Sequence, residues 1–173
     1  DGNDYTDPSV IKMIHLNARK KIPINKYLNS LNVVPVSISY EKDPNDVRKA
    51  NELYLTDLNQ EYIKEPKEDL ISIAEGIRGQ KGNVHLHVGK VINFTNDSYE
   101  QCSDEITLAI KSEYKNHATN YAAAIIQGKN TNMGSFSNHD IDRAVNYLTA
   151  KTNEMPEEMQ AYFLTQYSRS LEL

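Results

Sequence analysis

An α/β fold in which helices outnumber strands is predicted, and three observations carry that reading. Residues 32–40 and 83–94 alternate apolar and polar side chains with a period of two, the pattern of strands. Elsewhere apolar residues recur at three- and four-residue spacing in about six segments, the pattern of amphipathic helices. Apolar residues make up only 39% of the 173 positions, below the usual range of about 45–50%, so the core is modest or shared.

Asp7-Pro8 suits a helix start, because Asp accepts from the first free N–H groups and Pro fits the first helical position. Val10, Met13, Ile14 and Asn17 share a face, so a helix is predicted over about residues 8–20, with a further short turn near 25–30. In the strand that follows, Val34, Val36, Ile38 and Tyr40 point one way, and Val33, Pro35, Ser37 and Ser39 the other. One face is strongly apolar and the other small and mildly polar, so cover on both faces is expected. Pro35 has no N–H and belongs at an edge, near the strand start, or at a bulge.

Asp43-Pro44 repeats the helix-start pattern and leads to a helix with Val47, Ala50, Asn51, Tyr54 and Leu58 on one face. Pro66 opens the next, with Leu70, Ile73, Ala74 and Ile77 in a stripe, and Gly79 closes it. In the second strand Val84, Leu86 and Val88 alternate with His85 and His87. Ser98 with Gln101, and Ser137 with Asp140, cap two further helices. Residues 120–128 form a short buried helix, and Pro156-Glu157-Glu158 starts the last one. Two strands alone make a marginal sheet, so strand 32–40 is expected to belong to a larger one.

A net charge of −5 offers no basic surplus to neutralise phosphates, which argues against a general nucleic-acid binder. No apolar run approaches the ~18–20 residues of a membrane span, and no signal peptide is seen. The best stretch for resting on a lipid surface is 8–27, with Lys12, Arg19, Lys20, Lys21 and Lys26 among apolar residues, although a core-facing helix with solvated lysines explains it too. His85 and His87 share a strand face, a spacing that can hold a metal, but no third ligand presents itself. Ser37 and Ser39 lack the G-x-S-x-G context of a hydrolase nucleophile. The glycine-rich, basic run 76–82 follows a helix, whose C-terminal end disfavours anions, and reads as a helix stop.

Several of these pieces together resemble the bacterial lysophosphatidate (1-acylglycerol-3-phosphate) acyltransferases, among the glycerolipid acyltransferases. The runs NVVPVSISYEKDPNDVRKANELY, GIRGQKGNVHLHVGKVI and IKSEYKNHATNYAAA are similar to that family's C-terminal half, and DGNDYTDPSVIKM to the segment after its E-G-x-R motif. The similarity implies that residues 1–95 form the C-terminal part of an acyltransferase domain, a layered sheet with flanking helices, and that 96–173 form a helical extension. It implies transfer of a fatty acyl group from acyl-CoA or acyl carrier protein to lysophosphatidate or a related glycerophospholipid, without a cofactor. In such an enzyme a histidine is the general base and an aspartate orients it.

The family's catalytic spacing, a histidine with an aspartate five positions on, is absent: Lys20, Lys90, Ile92, Ala122 and Ala144 stand five places after the five histidines. The dyad is expected upstream of Asp1, and an opening without Met reads as a piece of a longer chain, inactive by itself. Glu75-Gly76-Ile77-Arg78 spells E-G-x-R but follows the valine–proline strand instead of preceding it, so no phosphate role carries over to Arg78. The family pattern that is present assigns Val34, Pro35 and Val36 to supporting the acyl site and puts Asp1 and Gly2 beside the phosphate motif. It also implies a place in the cytoplasm or at the cytoplasmic face of the inner membrane, with peripheral membrane contact. Two other readings stay open: a non-enzymatic helical binding or regulatory module, and an unrelated metalloenzyme built on His85 and His87.

Overall fold

The computed structural model describes residues 5–58, 62 and 65–172; Asp1 and Gly2 lie outside them. The fold is α/β, with helices predominating around one small antiparallel sheet. The chain forms two compact units, the first from residues 1–39 and 85–115, the second from 40–84 and 116–173.

The first unit is built on α1 (Pro8–His15), α2 (Ile24–Leu31) and α5 (Tyr99–Lys111). Asp7 caps α1 by accepting from the Ser9 N–H, and Pro8 occupies its first turn as the sequence predicts. The helix ends at His15 rather than near 20, and the chain continues in turns. Ile11, Ile24, Leu28, Phe94 and Cys102 form the core between these elements. Asn29 pins Phe94 from both sides: its Nδ2 donates to the Phe94 carbonyl (2.9 Å), and its Oδ1 accepts the Phe94 N–H (2.8 Å). Asp97 Oδ1 takes the Ile24 N–H at the start of α2, a donor that no helical carbonyl could satisfy. Ser98 caps α5 as expected, accepting from the Gln101 N–H.

Strands β1 (Val36–Tyr40) and β2 (Val84–Val88) form the two-stranded sheet. Gly89 N–H donates to the Pro35 carbonyl (2.9 Å), which sets Ser37 opposite His87 and Val36 opposite Val88. One pair further out, Ile92 N–H reaches the Val33 carbonyl (2.9 Å), so the β2 side carries one extra residue there, a bulge. Pro35 thus sits just before the strand start and beside a bulge, two of the places open to it.

The second unit contains α3 (Asp46–Asp57), α4 (Glu68–Arg78), α6 (Ala118–Ile126), α7 (Asn138–Thr152), α8 (Glu157–Ser168) and a closing 3₁₀ turn, Arg169–Glu172. Phe163 and Leu148 are fully buried, packed with Ala50, Ala122, Ala123 and Ile141. The small side chains of α6 allow close approach of both α7 and α8. Ser137 and Asp140 form the expected capping box on α7. Helix α3 begins two residues later than Asp43-Pro44 suggests: Asp43 Oδ1 accepts the Asn45 N–H in a local turn, and the helix starts only at Asp46. On α4 the predicted stripe of Leu70, Ile73 and Ile77 is exposed, and none of its residues is buried.

Candidate functional site

The residues that the resemblance assigns to the acyl site, Val34, Pro35 and Val36, lie in the first unit at the start of β1. They open a surface whose burial runs against ordinary sheet chemistry. Ser37 and Ser39, on the small polar face, are each 2% exposed. On the opposite face Val36 and Ile38 are both 43% exposed, and their neighbours on β2, Leu86 and Val88, 59% and 61%. The alternation predicted from sequence is present. Cover on both faces is not, because among the described residues only the small face is enclosed. The more open side is the one with the larger apolar payload, where covering half of a Val, Ile or Leu side chain is worth about 1 kcal/mol.

The ladder is also incomplete sideways. With Pro35 opposite Gly89, the N–H groups of Val36 and Ile38 point away from β2, and no backbone partner meets them among the described residues. Pro35 contributes its carbonyl to the ladder but no donor. Its ring also dictates the residue opposite: a Cβ on Gly89 would come within 2.8 Å of Pro35 Cγ and 3.3 Å of its carbonyl oxygen. The Pro35–Gly89 pair is therefore one steric unit; the sequence marks Gly89 as a break in the second strand but not its contact with Pro35, because that partner lies on another strand.

Ser39 Oγ donates to the Lys115 carbonyl (2.7 Å), and Ser37 Oγ is enclosed with no partner among the described residues. Neither hydroxyl is accessible to a substrate. His87 Nε2 lies 3.6 Å from Glu113 Oε2, and no group of three potential ligands surrounds it or any other described residue. His15 is buried and serves the fold. Its Nε2 donates to the Ile22 carbonyl (2.8 Å), which can only accept, and its Nδ1 shares a hydrogen bond with the Tyr99 hydroxyl (2.9 Å). Burial pushes the Cys102 thiol up, away from the thiolate that a nucleophile needs. The E-G-x-R look-alike falls in the last turn of α4, where Glu75 is engaged by Arg48 through two bonds of 2.8 and 3.2 Å.

In the second unit a polar cluster formed that the sequence did not reveal. Asp46, 1% exposed, receives Lys151 Nζ on both oxygens (2.6 and 2.7 Å) and the Tyr167 hydroxyl on one (2.7 Å). Asp43 N–H donates to that hydroxyl (3.1 Å), and Gln166 Nε2 to the Asp46 carbonyl (2.8 Å). Burial, reinforced by the Asp46 charge, drives the Tyr167 hydroxyl well above its ordinary range. Burial works against the Lys151 charge, but the bonds and charge of Asp46 outweigh it and hold the ammonium above its usual value. With every member paired, the cluster ties α3 to α7 and α8 as a structural lock. The signal was faint because Asp46 looks like an ordinary first-turn acid, and its partners lie 105 and 121 positions away.

No helix among the described residues is long and apolar enough to cross a membrane. Comparison with family models, curated proteins and solved structures returns no match.

Proposed function

We propose that this chain is the C-terminal half of a glycerolipid acyltransferase that moves a fatty acyl group from acyl-CoA or acyl carrier protein to lysophosphatidate or a related glycerophospholipid. The observation that carries the reading is the open apolar face of β1 and β2, with Val34, Val36, Ile38, Leu86 and Val88 exposed beside strand edges that no other strand meets among the described residues. A layered sheet that continues past this chain supplies both the missing strands and the missing cover. The resemblance of residues 32–54 to the family's valine–proline block points to the same place.

In the whole enzyme a histidine removes the proton from the acceptor hydroxyl, and an aspartate orients that histidine. The hydroxyl oxygen bonds to the thioester carbon, the C–S bond breaks, and the thiol leaves with a proton. Val34, Pro35 and Val36 shape the wall on which the acyl chain or its supporting layer rests. The chain described here has no such histidine–aspartate pair at the required spacing and is inactive alone. Peripheral contact with the lipid that holds the acceptor belongs to this reading.

An acyl-transfer assay tests it, with residues 1–173 set beside a chain extended upstream to include the dyad and the E-G-x-R motif. The extended chain should turn over and residues 1–173 should not; turnover by residues 1–173 alone contradicts the assignment. A second reading, a helical binding or regulatory module, draws on the closed core of the second unit around Phe163. It is favoured if the extended chain folds and transfers no acyl group.

A further inference from the structure

The second unit holds a cleft of about 640 Å³ between the turn that leads into α3, one face of α4 and two residues of α7. Pro44, Ile71, Ala74 and the ring of Tyr147 make its walls apolar, and charged groups stand among them. The charges do not cancel. Asp43 is taken by Lys49 (2.6 Å) and Glu75 by Arg48. Lys151 is committed to both oxygens of Asp46. Lys42 and Arg78 also line the cleft, and neither has a carboxylate partner among the described residues. Lys42 Nζ stands 4.5 Å from the centre of the Tyr147 ring, a cation–π contact that keeps the charge at the cleft wall. Two unmatched cations in one cleft are conspicuous in a chain of net charge −5.

The end of a helix normally repels anions through its free carbonyls. Here Lys81 Nζ lies 3.2 Å from the Gly79 carbonyl and 3.5 Å from that of Ile77, so the last turn of α4 is already compensated. The Arg78 side chain can then act on a ligand without that opposing field.

We infer that this cleft binds a small organic phosphate. Lys42 and Arg78 meet the phosphate monoester, and its apolar or aromatic body lies against Pro44, Ile71, Ala74 and Tyr147. A phosphate monoester matches two cations with up to two negative charges, and a guanidinium engages its oxygens in pairs. The apolar walls give the body of the molecule a reason to enter that inorganic phosphate lacks. This assignment stands on the second unit alone and does not depend on acyl transfer.

The test is a ¹⁵N–¹H NMR titration of the 173-residue chain with adenosine 5′-monophosphate, hexyl phosphate and inorganic phosphate. At least one organic phosphate should shift the amides of Lys42, Asp43, residues 71–80 and Tyr147, with a Kd near or below about 1 mM. Which one binds separates a nucleotide source from an acyl-type source. Lys42→Gln and Arg78→Gln should each weaken binding by about fivefold to tenfold. Neither side chain holds an ion pair among the described residues, so unchanged spectra elsewhere verify folding, and either variant suffices if the other is lost. Absence of localised shifts with both organic phosphates overturns the inference. So does equal binding of inorganic phosphate, or wild-type affinity in both variants.

Discussion

In the second unit the core side chains Phe163 and Leu148 are wholly enclosed, and the buried charge of Asp46 is met on every side, while the apolar stripe of α4 stays exposed. In the first, Val36, Ile38, Leu86 and Val88 stand on one sheet face, between 43% and 61% exposed, with strand edges open beside them. The helical unit closes its own core. The sheet unit closes only its lower layer, around Phe94 and Leu28, and leaves its most apolar surface available. The difference separates the region that holds this chain's stability from the region on which the proposed function draws. A substitution in the first kind of region breaks the fold of this chain. A substitution in the second leaves this chain alone and matters only when something rests on the face.

The largest expected effect follows from Phe163→Ala, which should cost about 3–5 kcal/mol in urea unfolding of the helical unit, since the surrounding helices cannot collapse fully into the space. Asp46→Ala should come next, at about 3 kcal/mol. That is the low end for breaking a buried pair, because the Lys151 head is partly exposed and can turn to water. The same cluster predicts an alkaline limit. Tyr167 and Lys151 both hold their protons more tightly in the fold than free. Their contribution is complete below about pH 10, where the unfolded groups begin to ionise, and is lost as pH rises through the raised folded values. Unfolding followed from pH 8 to 12 should therefore show a decline that Tyr167→Phe shifts or shallows; an unchanged profile removes the cluster from the explanation. The smallest effect belongs to the sheet: Leu86→Lys should change the stability of residues 1–173 by no more than about 0.5 kcal/mol. A cost near that of Phe163→Ala would show that the face is covered after all.

Local chemistry was the legible part of this protein. The period-two alternation at Val34, Val36 and Ile38 against Ser37 and Ser39 set the two faces correctly, and the caps at Asp7, Ser98 and Ser137 needed only short-range hydrogen bonds. Which face would be covered was not legible, because alternation says that two faces differ and not what packs on them. The Asp46–Lys151–Tyr167 cluster and the Pro35–Gly89 contact were invisible for a related reason: each joins residues brought together only by the tertiary fold. The stripe on α4 misled in the opposite direction, since apolar spacing at Leu70, Ile73 and Ile77 marks an amphipathic helix without guaranteeing a neighbour. Arg78, set aside in the sequence as part of a chance motif, gains a role only through the cleft it shares with Lys42.

Amide hydrogen exchange at Val36, Ile38, Leu86 and Val88 addresses the open sheet most directly. It should be measured in residues 1–173 and in the chain extended through the histidine–aspartate dyad, with Leu148 and Phe163 as internal references. Fast exchange at Val36 and Ile38 in the short chain, slowed to the level of the reference amides in the long one, is the predicted result. Equal exchange at these strand amides in both chains would contradict it.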